Sequence, residues 1–308
     1  MGKLLSETGN TMLQTRTTCA VIALLTLFGP GSLPAQQESN LAGKKAGEVR
    51  EFGTMPKLKL AWCPAGNFVM GDVGGRHFDV QLTQGFWIGQ TEVTQAQWMA
   101  VMNTRPWTPA DNPAPGNIFG VKEGAKYPAS YVSWSDANRF CVKLSAQLNA
   151  SGELPDGWRF RLPTEAQWEY ACRAGGEHNL YPGRSTDNSI SLLDFAWFEW
   201  NAGRSVADAD QHPREVALKK PNVWNLYDTS GNLEEWVLDG SPVFHGRRFV
   251  GGKGPYVVSN GQFRVTRGGC YLTPQNNCEV ISGHSRHSFY DRLSTTGFRV
   301  LMMKQPAK

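Results

Sequence analysis

From Gly175 to Met302 the chain never sustains an apolar period: short hydrophobic pieces alternate with clusters of Gly, Asn and Asp. Such a pattern does not carry long helices, because each cluster favours a turn and interrupts the 3.6-residue repeat that a buried helix face needs. It calls for short strands joined by long ordered loops. Loops of that kind are functional, or are held by metal or dense packing. The 33 Gly and 18 Pro supply the turns, and the 11 Trp, 15 Phe and 8 Tyr supply bulk for a compact core.

The preceding part of the chain is more regular. Phe68-Val-Met-Gly71, the alternation Phe78-x-Val80-x-Leu82 and Phe86-Trp-Ile88 read as strands. Thr94-Gln-Ala-Gln97 is a capping box, with Trp98, Val101 and Met102 as the apolar face of its helix. A second helix starts near Ser135, its face given by Ala137, Phe140, Cys141, Leu144 and Leu148. A third follows the box Thr164-Glu-Ala-Gln167, with Trp168, Ala171 and Cys172 buried. No internal repeat is present. The fold class is α+β, one domain over residues 58–304.

The first 57 residues read differently. Arg16 precedes the apolar run Cys19–Phe28, Gly29-Pro-Gly breaks it, and Ala35 offers a small residue before Gln36. This is the layout of a secretory signal peptide over residues 1–35, and the run is too short to span a bilayer. Residues 36–57, polar and without apolar period, read as a flexible leader. The mature chain is expected to work outside the cytoplasm, periplasmic or secreted, with no membrane span. The net charge of +4 and the scattered pairs Lys44-Lys45, Lys219-Lys220 and Arg247-Arg248 read as solvated surface, so no nucleic-acid partner is expected. Without Cys19, five cysteines remain, an odd number that leaves at least one unpaired within the chain.

Two segments concentrate chemistry. Asp228, Gly231, Asn232, Glu234 and Glu235 crowd one turn, and carboxylates with backbone carbonyls suit Ca²⁺; the plain alternative is a turn whose acids cap a helix or face water. Arg267-Gly-Gly-Cys-Tyr-Leu-Thr-Pro-Gln-Asn-Asn-Cys278 joins a glycine pair to two thiols. His284 and His287 form a weaker H-x-x-H pair, explained as well by ordinary surface histidines.

Arg161-Leu-Pro-Thr-Glu-Ala-Gln-Trp-Glu-Tyr170, Leu226-Tyr-Asp-Thr-Ser-Gly-Asn-Leu-Glu-Glu-Trp236, Tyr131-Val-Ser-Trp-Ser-Asp-Ala137, Thr91-Glu-Val-Thr94, Arg267-Gly-Gly269 and Gly297-Phe-Arg299 resemble, in order, the motifs of the formylglycine-generating (sulfatase-modifying factor) family. The resemblance runs from about Cys63 to Met302 and implies an elaborated C-type-lectin-like domain. It implies oxidation of a sulfatase cysteine by O₂ with copper(I), Cu⁺, held by two thiolates five residues apart, since soft thiolates select that ion. Cys278 matches the second thiolate position; the first falls on Thr273, whose hard oxygen cannot replace a thiolate. Cys270 stands where the family has serine. Cys270 with Cys278 as a shifted pair, as a disulfide, or as buried thiols all remain open. The resemblance also implies calcium bound by side chains at Asp228 and Glu235 and carbonyls at Gly231 and Leu233, a second calcium near residues 201–210, Tyr271 and Arg286 at a substrate groove, and a structural Arg299. Cys141 and Cys172 match disulfide positions of the animal enzymes whose partners would fall at Gly283 and Val300, neither a cysteine. Trp134, Trp168 and Trp236 read as core. Three functions follow: an oxidase of exported sulfatases, an oxidase of another substrate, or a non-enzymatic module binding a sulfatase, another exported polypeptide or a ligand on a C-type-lectin-like scaffold.

Overall fold

The computed structural model describes residues 41–71, 77–112, 120–176, 191–202, 211–241, 252–253, 261–278, 280 and 284–305. The signal-peptide segment and most of the expected second calcium region lie outside them. A five-stranded sheet runs in the order β1-β2-β5-β12-β6, formed by β1 (Val49–Phe52), β2 (Leu58–Cys63), β5 (Phe86–Gly89), β12 (Leu301–Lys304) and β6 (Trp158–Arg161). Period-two alternation divides it into two faces. Leu58, Leu60, Trp62, Trp87, Phe160 and Met302 pack toward α1 (Gln95–Met102) and α2 (Trp134–Ala150). Ala61, Cys63, Phe86, Ile88, Leu301 and Met303 pack on the opposite side, against the hairpin of β3 (Gly66–Gly71) and β4 (His77–Leu82) and against α3 (Glu165–Cys172). A strand buried on both faces must be apolar throughout, and β5, Phe-Trp-Ile-Gly, is.

β3 and β4 continue to β8 (Gly252–Lys253) in a three-stranded sheet. A four-stranded sheet, order β10-β9-β7-β11, arises from the stretch that sequence reading left as short pieces: β7 (Glu234–Ser241), β9 (Phe263–Arg267), β10 (His284–Ser288) and β11 (Thr296–Gly297). With three α-helices and twelve mostly short strands among the described residues, the chain is a mixed α+β fold in one domain.

Both expected capping boxes are present. Thr94 and Gln97 close α1, and Thr164 and Gln167 close α3, each box satisfying two otherwise orphaned donors. The second helix starts earlier than its apolar face suggests, because Ser133 and Asp136 form a third box and make Trp134 the first helical residue. Trp98 stacks on Phe140 at 5.6 Å, and both meet the edge of Phe298. Of the tryptophans read as core, Trp168 and Trp236 are fully buried, whereas Trp134 is partly exposed under the Arg264 guanidinium.

The leader reading fails from residue 49 onward. β1 pairs antiparallel with β2 over Val49↔Ala61 to Phe52↔Leu58, and Gly47 and Trp62 extend the pairing by backbone bonds. As an edge strand with alternate residues exposed, Val-Arg-Glu-Phe needs only a weak apolar pattern.

Arg299 joins the layers. It is fully buried, and its guanidinium donates to both oxygens of Glu235 (2.6 and 2.5 Å) and to the carbonyls of Gly89, Gln90, Tyr227 and Asp228. Replacing Arg299 by Ala is expected to lower unfolding free energy by about 3–5 kcal/mol, because it strands a buried carboxylate and several carbonyls. Urea denaturation of the two proteins measures this.

Candidate functional site: the thiol loop and the two acidic clusters around it

The Arg267–Cys278 segment leaves β9 through Gly268 (φ 98°) and Gly269 (φ 70°), left-handed conformations suited to glycine. Gly269 also has no room for a side chain: a Cβ there would lie 3.1 Å from Cys278 Sγ and 3.2 Å from Thr273 Cγ2. The chain then turns back, with Tyr271 N–H donating to Asn232 O and Thr273 N–H to Cys270 O. Thr273 directs its methyl toward Gly269, on the side of the Cys278 sulfur. Its hydroxyl accepts from Cys270 N–H at 2.9 Å and lies 3.3 Å from Cys270 Sγ.

The two thiols sit in separate apolar surroundings. Cys278, with no solvent exposure, packs with Leu192, Ala196 and Phe198, and donates weakly to Thr273 O at 3.7 Å. Cys270 packs with Ala202, Leu233 and Tyr271. Burial pushes the Cys278 thiol well up, reinforced by the charges of Cys270 and Glu234. Burial, with Glu234, raises Cys270 to about 11. Both thiols are therefore protonated near neutrality in the metal-free chain, and a protonated thiol is a poor nucleophile. Among the described residues all five cysteines are free and buried, so neither Cys270–Cys278 nor Cys141–Cys172 is a disulfide. The copper(I) pair does not fit: the position of the first thiolate holds an oxygen already bonded within the loop, and a shifted Cys270–Cys278 pair would have to leave two apolar packings.

Tyr271 does not line an open groove. It is 1% exposed, with its hydroxyl against Gly120. Arg286, by contrast, is exposed on β10.

Glu234 and Glu235, adjacent in sequence, point to opposite faces because they begin strand β7 rather than continue a turn. Glu234 accepts from Thr266 Oγ1 (2.8 Å) and Ser285 Oγ (2.9 Å), and His287 Nε2 lies 3.1 Å from it. Burial pushes its carboxyl up, but these three contacts outweigh burial and hold it below the usual range. An ionised carboxylate thus sits beside both thiols and disfavours their deprotonation. Sequence reading missed this role; strand periodicity across Glu234-Glu235 was the signal that could have found it. His287 belongs to strand β10, not to a loop.

Glu235 faces Arg299 and also accepts from Trp168 Nε1 at 2.8 Å. Around the same guanidinium lie Glu92, bonded by Asn232 Nδ2, and Asp228, bonded by Ala217 N–H. Burial raises Glu92 strongly, with the charges of Asp228 and Glu235 adding to it, and burial raises Asp228 to about 6. The calcium set expected at Asp228, Gly231, Leu233 and Glu235 does not fit this arrangement. Both oxygens of Glu235 are spent on Arg299, and of the two side-chain ligands only Asp228 keeps an unpartnered oxygen, Oδ1. Calcium takes six to eight oxygens. Gly231 (φ 76°) and Asn232 (φ 59°) instead dock the turn on Trp197 O and Gly268 O. Among the described residues no three His, Cys, Asp or Glu side chains gather to hold a metal.

The family model of the sulfatase-modifying factor enzyme 1-like domain matches residues 45–304, and the chain belongs to that family. It is 28% identical over 230 residues to the chaperone protein LppX of Paenibacillus barcinonensis, covering 63% of this chain and 72% of that protein. It is 28% identical over 212 residues to the mouse formylglycine-generating enzyme, covering 67% of this chain and 51% of the enzyme; the chain thus spans about half that enzyme's length. Among solved structures it is similar to Treponema denticola variable protein 1, with 28% identity, a TM-score of 0.65, and 84% and 99% of the two chains covered.

Because Arg299 already supplies the cation at Glu235, stripping the protein with EGTA and restoring calcium are expected to leave the melting temperature unchanged within about 2 °C. A larger calcium-dependent rise would mean that the acidic cluster rearranges around the ion.

Proposed function

We propose that this chain is a non-catalytic binding member of the sulfatase-modifying factor family, acting outside the cytoplasm on an exported polypeptide. The observation that carries this reading is Thr273. It occupies the place of the first copper-binding thiolate, its hydroxyl is engaged with Cys270, and Cys278 beside it is buried and protonated. Cysteine oxidation with copper(I) needs two thiolates to bind the ion, and this loop has a cysteine at only one of the two positions. Membership itself does not fix an activity: the similar proteins include one named as a chaperone and one as a variable protein, besides formylglycine-generating enzymes. Side chains suited to contact are exposed: Trp200 (67%), next to Glu199 whose N–H donates to Thr273 O in the loop, and, on β10 and just after it, Arg286 and Tyr290 (71%). Exposed aromatic and arginine side chains are the usual anchors of a protein interface.

Purified protein incubated with copper(I), O₂ and a Cys-x-Pro-x-Arg peptide is expected to yield no formylglycine product by mass spectrometry. Product that disappears in Cys278→Ser would overturn the proposal. Product from Thr273→Cys alone would locate the loss of activity at that one side chain.

Export rests on the signal-peptide pattern of residues 1–35. Mass spectrometry of the protein produced in its own host is expected to find a mature chain that starts near Gln36 in the extracytoplasmic fraction. An unprocessed chain retained in the cytoplasm would refute export.

A further inference from the structure

A cavity of about 610 Å³ opens on the side of the domain built by β2, the end of β5, the start of α1 and the 215–218 loop. None of its lining residues belongs to the Arg267–Cys278 loop. Its floor is apolar and buried: Leu58, Val93 and Val300 are each at most 3% exposed. Its walls are fixed from behind. Arg299 holds the carbonyls of Gly89, Gln90 and Tyr227; Gln97 Nε2 holds Lys57 O; Val216 N–H holds Lys126 O. Ala217, in the wall, is kept left-handed at φ 60° by its bond to buried Asp228. An alanine in that region is strained, and strain of this kind persists where surrounding structure over-determines it, often at ligand sites. The cavity is therefore preformed rather than a gap between mobile side chains.

Its charges are arranged in opposite-sign neighbours. On one wall Glu51 holds Lys57 at 2.6 Å and reaches Lys59 only at 4.0 Å. Elsewhere in the lining stand Lys126 and Glu215, on segments joined by the Val216–Lys126 backbone bond, and among the described residues neither makes an ion pair. A ligand carrying one sign of charge would pair with one of these two groups and be repelled by the other. A ligand carrying both signs satisfies the two together, and the apolar floor accommodates its short body.

We infer that this cavity is a binding site for a small zwitterion, a free amino acid or a di- or tripeptide, with its carboxylate on Lys126 and its ammonium on Glu215. The site is independent of the thiol loop and holds whether or not that loop is catalytic. The cavity's size admits a tripeptide and excludes a folded partner.

The test is saturation-transfer NMR on the mature chain with the twenty free amino acids and a set of Ala-X-Ala tripeptides, followed by calorimetry on the best binder. Binding with Kd of about 1 mM or tighter is expected for at least one zwitterion. N-acetylation or C-terminal amidation of that ligand is expected to weaken it at least about tenfold, as are Glu215→Gln and Lys126→Gln, with melting temperatures unchanged. Cys278→Ala is expected to bind as the parent does, which separates this site from the loop. Failure of every amino acid and tripeptide to bind at about 5 mM, or equal affinity for capped and uncapped ligands, overturns the inference.

Discussion

The fork between Arg299 and Glu235 holds the molecule's layers together. Arg299 lies in the segment between β11 and β12, Glu235 lies in β7 of the four-stranded sheet, and the four carbonyls that Arg299 also binds belong to loops beside β5 and the Asp228 turn. A guanidinium is suited to this position because its five donors are fixed in a plane and can serve six acceptors only if those acceptors are already placed. Burying the charge is costly in itself and becomes tolerable because every side of the group is met. The five-stranded sheet, the four-stranded sheet and the wall of the cavity are thereby referred to one atom group.

The same logic recurs one layer away. α3 is buried along its entire length, although its sequence shows only one apolar face. Its other face carries Glu165 and Glu169, which meet the buried Arg267, and Arg173 returns to Glu169. Arg267 in turn packs over the Trp168 ring at 5.4 Å, at the point where β9 gives way to the Gly-Gly turn. The thiol loop thus starts from a fixed anchor and packs closely around Gly269.

Much of this was legible in the chain. The capping boxes at Thr94 and Thr164 and the α2 face from Ala137 to Leu148 follow from local spacing, and the structural role of Arg299 from the family resemblance. What escaped reading depends on contacts between distant residues. β1 has too little apolar pattern to announce an edge strand and becomes one only because β2 offers it a partner. Glu234 and Glu235 look like one acidic turn until the strand places them on opposite faces, where one holds Arg299 and the other sits by the thiols. Tyr271 was expected at a groove from the family resemblance, and it is interior because the loop folds back on Asn232.

The cysteines have a consequence for how such a chain is made. All five in the folded domain are buried and free, and burial raises the pKa of each. Thiols held in this state exchange slowly with disulfides and resist oxidants, because both reactions begin from the thiolate. The native state consequently contains no bond that an oxidase must form, and its buried sulfurs need no reductase to stay as they are. Its stability is indifferent to the redox potential of the surroundings once folding has closed over the sulfurs, and its vulnerable interval is confined to the time before that closure.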